Sequence, residues 1–387
     1  MKNILSIITV SLIAICCQAK TQTYSDTLGI AKSDLENAID TVFKSADTSN
    51  PGYMIAVINK DEFLFQKGYG LANLEHNIEI DKNTCFNIAS LSKQITAASI
   101  ALLILEGKIN VDDLVSDHIE DFSFSKDSIR IKHLIYMTSG INDYTYNARQ
   151  NKTDWSSLNY FNIDTAIVAS YSSEELMYEP GSQWSYSNIN YILMTKIVEE
   201  VSGMRFSTFV KRFIFMPLDM KNSLVNDDIF EVIPNRAMGY NYRTEEETNW
   251  MIESGYLRDK GDGLLQIHRN SPHYGGSGVF TTMDDWKKWI ANFSTKTFGG
   301  QEFHDLMHTT MKFDHDKSND AFGLVIDEYE GKEIVWYEGG DWGFSSFMIM
   351  FPESETSIVC FSNIGTGNAR SKVWAVYDIL FDQGIIK

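Results

Sequence analysis

Strand-like runs sit at both ends of this chain, with mainly helical signals between them. Near the start lie GYMIAVIN (52–59) and EFLFQKGYG (62–70), joined at Lys60-Asp61 in the manner of a hairpin. Near the end lie runs at 321–328, 332–338 and 344–351, and then TSIVCFSN (356–363). Helical patterns cover 33–46, 89–105, 191–201, 284–294 and 370–381, the second of them ending at Gly107. Strands that follow one another through short turns pair antiparallel. The pattern therefore predicts an α/β (α+β) fold with one antiparallel sheet built from both termini and flanked by terminal helices. That lobe takes in about 20–107 and 275–387, and 108–274 forms an all-helical lobe. The cleft between the two lobes is where a ligand is expected.

The N-terminus, MKNILSIITVSLIAICCQAKTQTYSD, opens on Lys2 and an apolar stretch at 4–15. Cys17-Gln18-Ala19 puts small residues where a signal peptidase reads them, so 1–19 is expected to be a signal peptide and 20–387 the mature domain. The rival reading is a lipid anchor at Cys16 or Cys17, although neither follows Gly, Ala or Ser. The apolar stretch is too short for a comfortable span, so no stable membrane insertion is expected after processing. Either way the protein is expected outside the cytoplasm, periplasmic or secreted. Only Cys85 and Cys360 then remain. Two cysteines make no disulfide scaffold, and their settings, TCFNIA and SIVCFSN, read as buried thiols. The chain has 33 basic and 52 acidic residues, a formal charge of −19, and no basic run, which argues against a nucleic-acid partner.

Three short motifs carry chemistry. In FNIASLSKQITAA (86–98), Ser90 and Lys93 are three apart at a helix start, which puts them on one face. The helix N-terminus favours developing negative charge there. Burial of Lys93 disfavours its ammonium form, so that the amine can take the hydroxyl proton. The plainer reading makes Ser90 an N-cap. The pattern alone is cheap, since Ser123-Phe124-Ser125-Lys126 repeats it in a loop-like setting. In EPGSQWSYSNINYILM, Tyr186 and Asn188 stand at a loop–helix junction, where the phenol can shuttle a proton and the amide can hold Lys93 and a substrate carbonyl. The plainer reading is an N-cap by Ser187 or Asn188 beside a packed tyrosine, and Tyr160-Phe161-Asn162 copies the triplet. In VWYEGGDWGFSSFMIMFP (335–352), Gly339-Gly340 exposes backbone N–H groups that can serve an oxyanion or simply form a turn. His304 and His308 have metal-ligand spacing, but no HExxH and no obvious third ligand accompany them, so the pair reads as surface. No Gly-x-Ser-x-Gly elbow, P-loop or dinucleotide fingerprint is present.

Taken in order, these segments resemble the serine β-lactamase-related hydrolases, on the branch of class C β-lactamases, DD-peptidases and esterases. The likeness covers roughly 35–385. It also takes in HLIYMTSGINDY (133–144), 197–220 with Asp219 where Gly is usual, GGSGVFTTMDDWKKWI (275–290) and GFSSFMIMFPE (343–353). The resemblance implies that Ser90 forms the acyl-enzyme and Lys93 accepts its proton. Tyr186 would assist proton transfer and activate water, and Asn188 would position Lys93 and substrate. The N–H groups of Ser90 and Gly340 would form the oxyanion hole, with Tyr337, Gly339 and Ser187 contacting substrate. It implies no metal and no organic cofactor.

One departure bears on substrate. The family's third motif usually begins with Lys or His, and here it reads Tyr337-Glu338-Gly339. A cation there would bind the carboxylate of a β-lactam or a terminal D-Ala, a bond of about 1.5–3 kcal/mol, or one to two decades in affinity. Tyr337 carries no charge near neutral pH. Glu338 is expected on the opposite face of the strand. Arg236 and Arg269 are candidates for a replacement cation. Family esterases accept an aromatic residue at this position, so the expectation shifts toward small-molecule ester, amide or peptide hydrolysis. Trp184, Trp336, Trp342, Tyr144 and Tyr146 would suit an apolar acyl group. The rival functions are a D-alanyl-D-alanine carboxypeptidase or weak β-lactamase, which penicillin labelling would reveal, and a non-catalytic binding or sensor module.

Overall fold

All seven residues of strand β1 (Tyr53–Asn59) are buried, as expected of an apolar, β-branched run covered on both faces. It turns through Lys60, at φ +56°, into β2 (Glu62–Tyr69). On its other side it pairs with a strand from the far end of the sequence, so that Val57 opposes Ile358. With β3 (Val325–Tyr329), β4 (Lys332–Asp341), β5 (Phe344–Phe351) and β6 (Thr356–Ser362), the order is β3-β4-β5-β6-β1-β2. Every neighbouring pair is antiparallel. The computed structural model describes residues 32–386, apart from 47–48, 121, 123–127, 144–162, 165–166, 168–174, 268–273, 314–315 and 318. The expected signal peptide with Cys16 and Cys17, both motif copies at 123–126 and 160–162, Tyr144, Tyr146 and Arg269 lie outside the described residues.

Alternation along the strands sorts side chains onto two faces. Ile55, Val57, Phe347, Ile349, Ile358 and Cys360 form one core with helices α1 (Lys32–Val42) and α5 (Ala369–Asp382). Met54, Ala56, Met348, Val359 and Phe361 belong to the larger core, which takes in α2 (Lys93–Leu105), α3 (Asn188–Ser202) and α4 (Met283–Thr295). Helix α2 is buried on almost every side, as a helix apolar all round must be. Cys85 and Cys360, the two cysteines among the described residues, are free and buried.

Three expectations need correction. The 108–274 segment is not all helical: Leu224–Val225 joins Val279–Thr281 and Phe86–Asn87 in a small sheet, and Gly239–Tyr242 pairs with Leu264–Ile267. These strands run for two to four residues, too few for an alternation to be legible. The nucleophile segment is not one helix, since 89–92 form a 3-10 turn before α2 begins. Of the His304–His308 pair, His304 is not at the surface and His308 is half-buried. His304 is buried between the Phe293 and Phe303 rings, and its Nε2 lies 3.1 Å from Asn292 Nδ2. The unusual Asp219 has φ +56°, the left-handed conformation that explains why Gly is usual there and why Asp, which tolerates it, is a workable substitute.

Burial, helped by neighbouring positive charge, lowers the pKa of both His133 and His304 from 6.5 to about 4. Between those values the unfolded chain binds protons that the folded chain refuses. Stability is therefore full above pH 6.5 and is lost as pH falls toward 4, by about 3 kcal/mol at most for each histidine. Thermal melts of the wild type and His304→Gln from pH 7.5 to 4.5 check this. The variant is expected to lose less stability on acidification, and parallel curves would contradict the assignment.

Candidate active site

The residues 87–92 fold sharply because Ala89 adopts φ +50°, a costly conformation for a residue with a Cβ. Asn87 holds it: its Oδ1 accepts the Ala89 N–H at 2.9 Å, and its Nδ2 donates to Asp341 Oδ2 at 3.1 Å. The same carboxylate oxygen accepts the Ser277 hydroxyl at 2.6 Å. Three segments far apart in sequence are thereby clamped around the turn that presents Ser90. Strand β4 runs against this turn. A Cβ on Gly339 would come within 2.9 Å of Ser90 N and 2.8 Å of Ile88 O, so only glycine permits the approach. Gly340 follows directly and is open.

Lys93 is the first residue of α2 and is 0% exposed. Its Nζ lies 3.1 Å from Ser90 Oγ, 2.8 Å from Asn188 Oδ1 and 2.6 Å from the Gly276 carbonyl oxygen. The rings of Tyr186 and Tyr191 flank it, with centroids 4.9 and 5.6 Å away. Tyr186 is 41% exposed as a residue, but its hydroxyl points inward, 2.8 Å from Ser90 Oγ and 3.3 Å from Asn188 Oδ1. Burial of that hydroxyl pushes the phenol pKa up. The charges of Asp143 and Asp341 push the same way, and the Ser90 contact only partly opposes them. Tyr186 therefore keeps its proton across the neutral range and acts as a donor. Asn188 opens α3 and is tied to Asp143, whose Oδ2 accepts both its N–H (2.6 Å) and its Nδ2 (3.1 Å).

Ser90, Lys93, Tyr186 and Asn188 thus meet in one hydrogen-bonded cluster, with Gly339 and Gly340 alongside. Ser187 and Tyr337 are buried, as Ser90 and Lys93 are. The Ser187 hydroxyl has no hydrogen-bond partner among the described residues. Tyr337 is 7% exposed and packs in the larger core, and burial drives its phenol pKa well up, with Tyr186, Tyr191 and Asp320 adding to the effect. It lies next to Tyr186 and Tyr191 at the wall of the site. Glu338 points to the other face, as alternation requires, and pairs with Arg370 at 3.2 Å. Trp336 shares that outer face, stacked on Phe347 beneath Arg370, so it is no part of an acyl pocket. Trp342 stands against Trp250 beside Asp341, and Trp184 is exposed. Arg236 lies over the Phe280 ring in a separate small cluster with Cys85 and Ile233, where it replaces no third-motif cation.

The residues that sequence reasoning left without a role are Asn87, Asp143, Gly276, Ser277 and Asp341. Four of them lie in segments already singled out for the family likeness (FNIASLSK, TSGIND, GGSG), and Asp341 directly follows Gly339-Gly340. No group of three metal-binding side chains occurs among the described residues.

A family model described as Beta-lactamase matches residues 38–383. A penicillin-binding protein of Bacillus subtilis (strain 168) is 27% identical over 372 residues, covering 91% of this chain and 77% of that protein. Protein flp of Staphylococcus aureus (strain MW2) is 26% identical, covering 86% of this chain and 64% of its own length, so the chain spans less than two thirds of that relative. Among solved structures, D-amino acid amidase from Ochrobactrum anthropi SV3 superposes with a TM-score of 0.74 at 20% identity, over 90% of this chain and 99% of that one. At that identity the likeness bears on the fold. With the family model matched over nearly the whole described fold and a serine–lysine–tyrosine cluster at its centre, the chain belongs to the beta-lactamase family of serine hydrolases.

Proposed function

We propose that this chain is an exported serine hydrolase that works through a Ser90 acyl-enzyme and prefers esters or small amides to penicillins. The observation that carries the reading is the position of Ser90 Oγ, within hydrogen-bond reach of both Lys93 Nζ and the Tyr186 hydroxyl. A neutral Lys93 amine gives its two N–H bonds to Gly276 O and Asn188 Oδ1 and keeps its lone pair for the Ser90 hydroxyl. Ser90 Oγ attacks the carbonyl carbon as its proton passes to Lys93. The N–H groups of Ser90 and Gly340 receive the oxyanion. The proton returns through Tyr186 to the leaving alkoxide or amine, which departs. Water then attacks the acyl-enzyme and gives its proton to the same relay, and Ser90 Oγ leaves as the hydroxyl.

The substrate reading rests on Tyr337. Where the family places a cation there is a buried, neutral phenol, and Glu338 faces away. This favours an acyl donor without a carboxylate. Export rests on Lys2, the apolar stretch at 4–15 and the small residues through Ala19. No described helix is long and apolar enough to cross a membrane. A second reading, peptidoglycan D-alanyl-D-alanine peptidase or weak β-lactamase, draws support from the penicillin-binding protein among the relatives.

The test is hydrolysis of a short p-nitrophenyl ester by the wild type and Ser90→Ala, beside labelling by a reporter penicillin in the wild type and Tyr337→Lys. The expected result is ester turnover that Ser90→Ala abolishes, with weak penicillin labelling that rises about ten-fold or more in Tyr337→Lys while ester turnover falls. Strong, stable labelling of the wild type by penicillin would favour the peptidase reading instead.

A further inference from the structure

We propose that Asp143 is a positioning residue that fixes the sense of the Asn188 amide, and through it the proton path among Lys93, Ser90 and Tyr186. The inference rests on the Ser90 acyl-enzyme reading. Asn188 has one oxygen and one nitrogen on its amide, and the site needs the oxygen on the Lys93 side. There it accepts from Lys93 Nζ at 2.8 Å and from the Tyr186 hydroxyl at 3.3 Å. The other edge of the amide meets Asp143 Oδ2 at 3.1 Å. A carboxylate only accepts, so it holds Nδ2 on its own side. Inverting the amide would set N–H against the N–H bonds of Lys93 and oxygen against the carboxylate. Both contacts would turn from attractive to repulsive.

The same carboxylate oxygen accepts the main-chain N–H of Asn188 at 2.6 Å, a charge-assisted bond to one of the free N–H groups at the start of α3. Asp143 therefore fixes the backbone and the side chain of Asn188 together. Its own segment is anchored independently. Ser139 Oγ donates to Asn190 Oδ1 at 2.5 Å and accepts the Ile141 N–H at 3.1 Å. Gly140, at φ +77°, lies so close to Tyr178 O that a Cβ would sit 2.3 Å from it. The aspartate thus enters from a turn that is tied to α3 and to the 176–178 segment.

The charge of Asp143 has a second effect. Among the described residues, the titratable groups around the Tyr186 hydroxyl include Lys93 of α2, Asp143, Asp341 of β4, the phenols of Tyr191 and Tyr337, and Asp320 beside those two phenols. A negative charge here stabilises ammonium over amine and phenol over phenolate. Removing it moves both ionisations to lower pH.

The experiment is steady-state hydrolysis of the p-nitrophenyl ester by the wild type, Asp143→Asn and Asp143→Ala across pH 5–10, with melting curves for each. Asp143→Asn keeps the size and an oxygen for the helix N–H, but loses the charge and offers a donor edge. It is expected to lower kcat about ten- to hundred-fold with KM within about three-fold, and to shift the acid limb of the pH profile, set by the Lys93 amine, toward lower pH. Asp143→Ala is expected to match or exceed that loss with a lower melting temperature. A kcat within three-fold of wild type in Asp143→Asn with an unmoved acid limb overturns the proposal, as does a rise in KM alone, which would make Asp143 a substrate contact. If the alanine variant fails to fold, the asparagine variant decides. Turnover that survives Ser90→Ala would instead remove the acyl-enzyme reading, and that outcome is read from the serine variant alone.

Discussion

Lys93→Met is expected to lower ester turnover by about 10³-fold while leaving the fold in place, because it removes the base and keeps the volume. Lys93 is wholly buried, and its Nζ is the only described group that touches Ser90 Oγ, Asn188 Oδ1 and the Gly276 carbonyl together. Methionine reaches along the same path without an N–H or a lone pair of comparable basicity. The two oxygens lose a donor, at about 1–3 kcal/mol for each that goes unsatisfied. Against that, a buried ionisable amine no longer has to be desolvated. The net change in melting temperature is expected to be a few degrees, far less than the activity loss would suggest. Turnover profiles across pH 5–10 and near-ultraviolet circular dichroism check both halves. Turnover within ten-fold of wild type would mean that another group takes the Ser90 proton.

The second large effect separates two adjacent glycines. Gly339→Ala would put a Cβ 2.3 Å from Ser346 Oγ, 2.8 Å from Ile88 O and 2.9 Å from Ser90 N. None of these distances is tolerable, and two of the three atoms are backbone of the nucleophile turn. Strand β4 must move off that turn, which carries the Gly340 N–H away from the oxyanion. A displaced donor costs about 10²–10³ in kcat, with about 1–3 kcal/mol of overpacking besides. Gly340→Ala meets nothing within 4 Å and its φ is ordinary, so it is expected to keep activity within about three-fold. Measuring kcat and melting temperature for both variants settles it. Equal losses, or the larger loss at Gly340, would place the critical contact elsewhere.

The parts of this site that were legible in the sequence are those governed by short-range geometry. Ser90 and Lys93 meet because three residues make about one helical turn, and the Glu338 side chain points outward because strand residues alternate. That same alternation puts Trp336 on Glu338's face, away from Ser90, so its place outside the site is legible from the pattern. The strands at 53–59, 344–351 and 356–362 stood out because both their faces are covered and most of their residues are apolar. The short strands at 224–225 and 239–242 gave no such signal. Asp143, Asn87 and Gly276 could not be assigned from spacing, since they act across 45, 254 and 183 positions on Asn188, Asp341 and Lys93. Only the packed chain brings those segments together. The burial of Tyr337 was hidden for the same reason: its neighbours, Tyr186 and Tyr191, come from the segment that leads into α3 and from α3 itself.

The most direct test of the account is the site of the covalent intermediate. The wild type would be mixed with excess p-nitrophenyl ester, quenched in acid during turnover and mapped by peptide mass spectrometry. The account predicts one acyl group, on the peptide carrying Ser90, and none in Ser90→Ala. An acyl group on any other residue, or full turnover by Ser90→Ala, would contradict it.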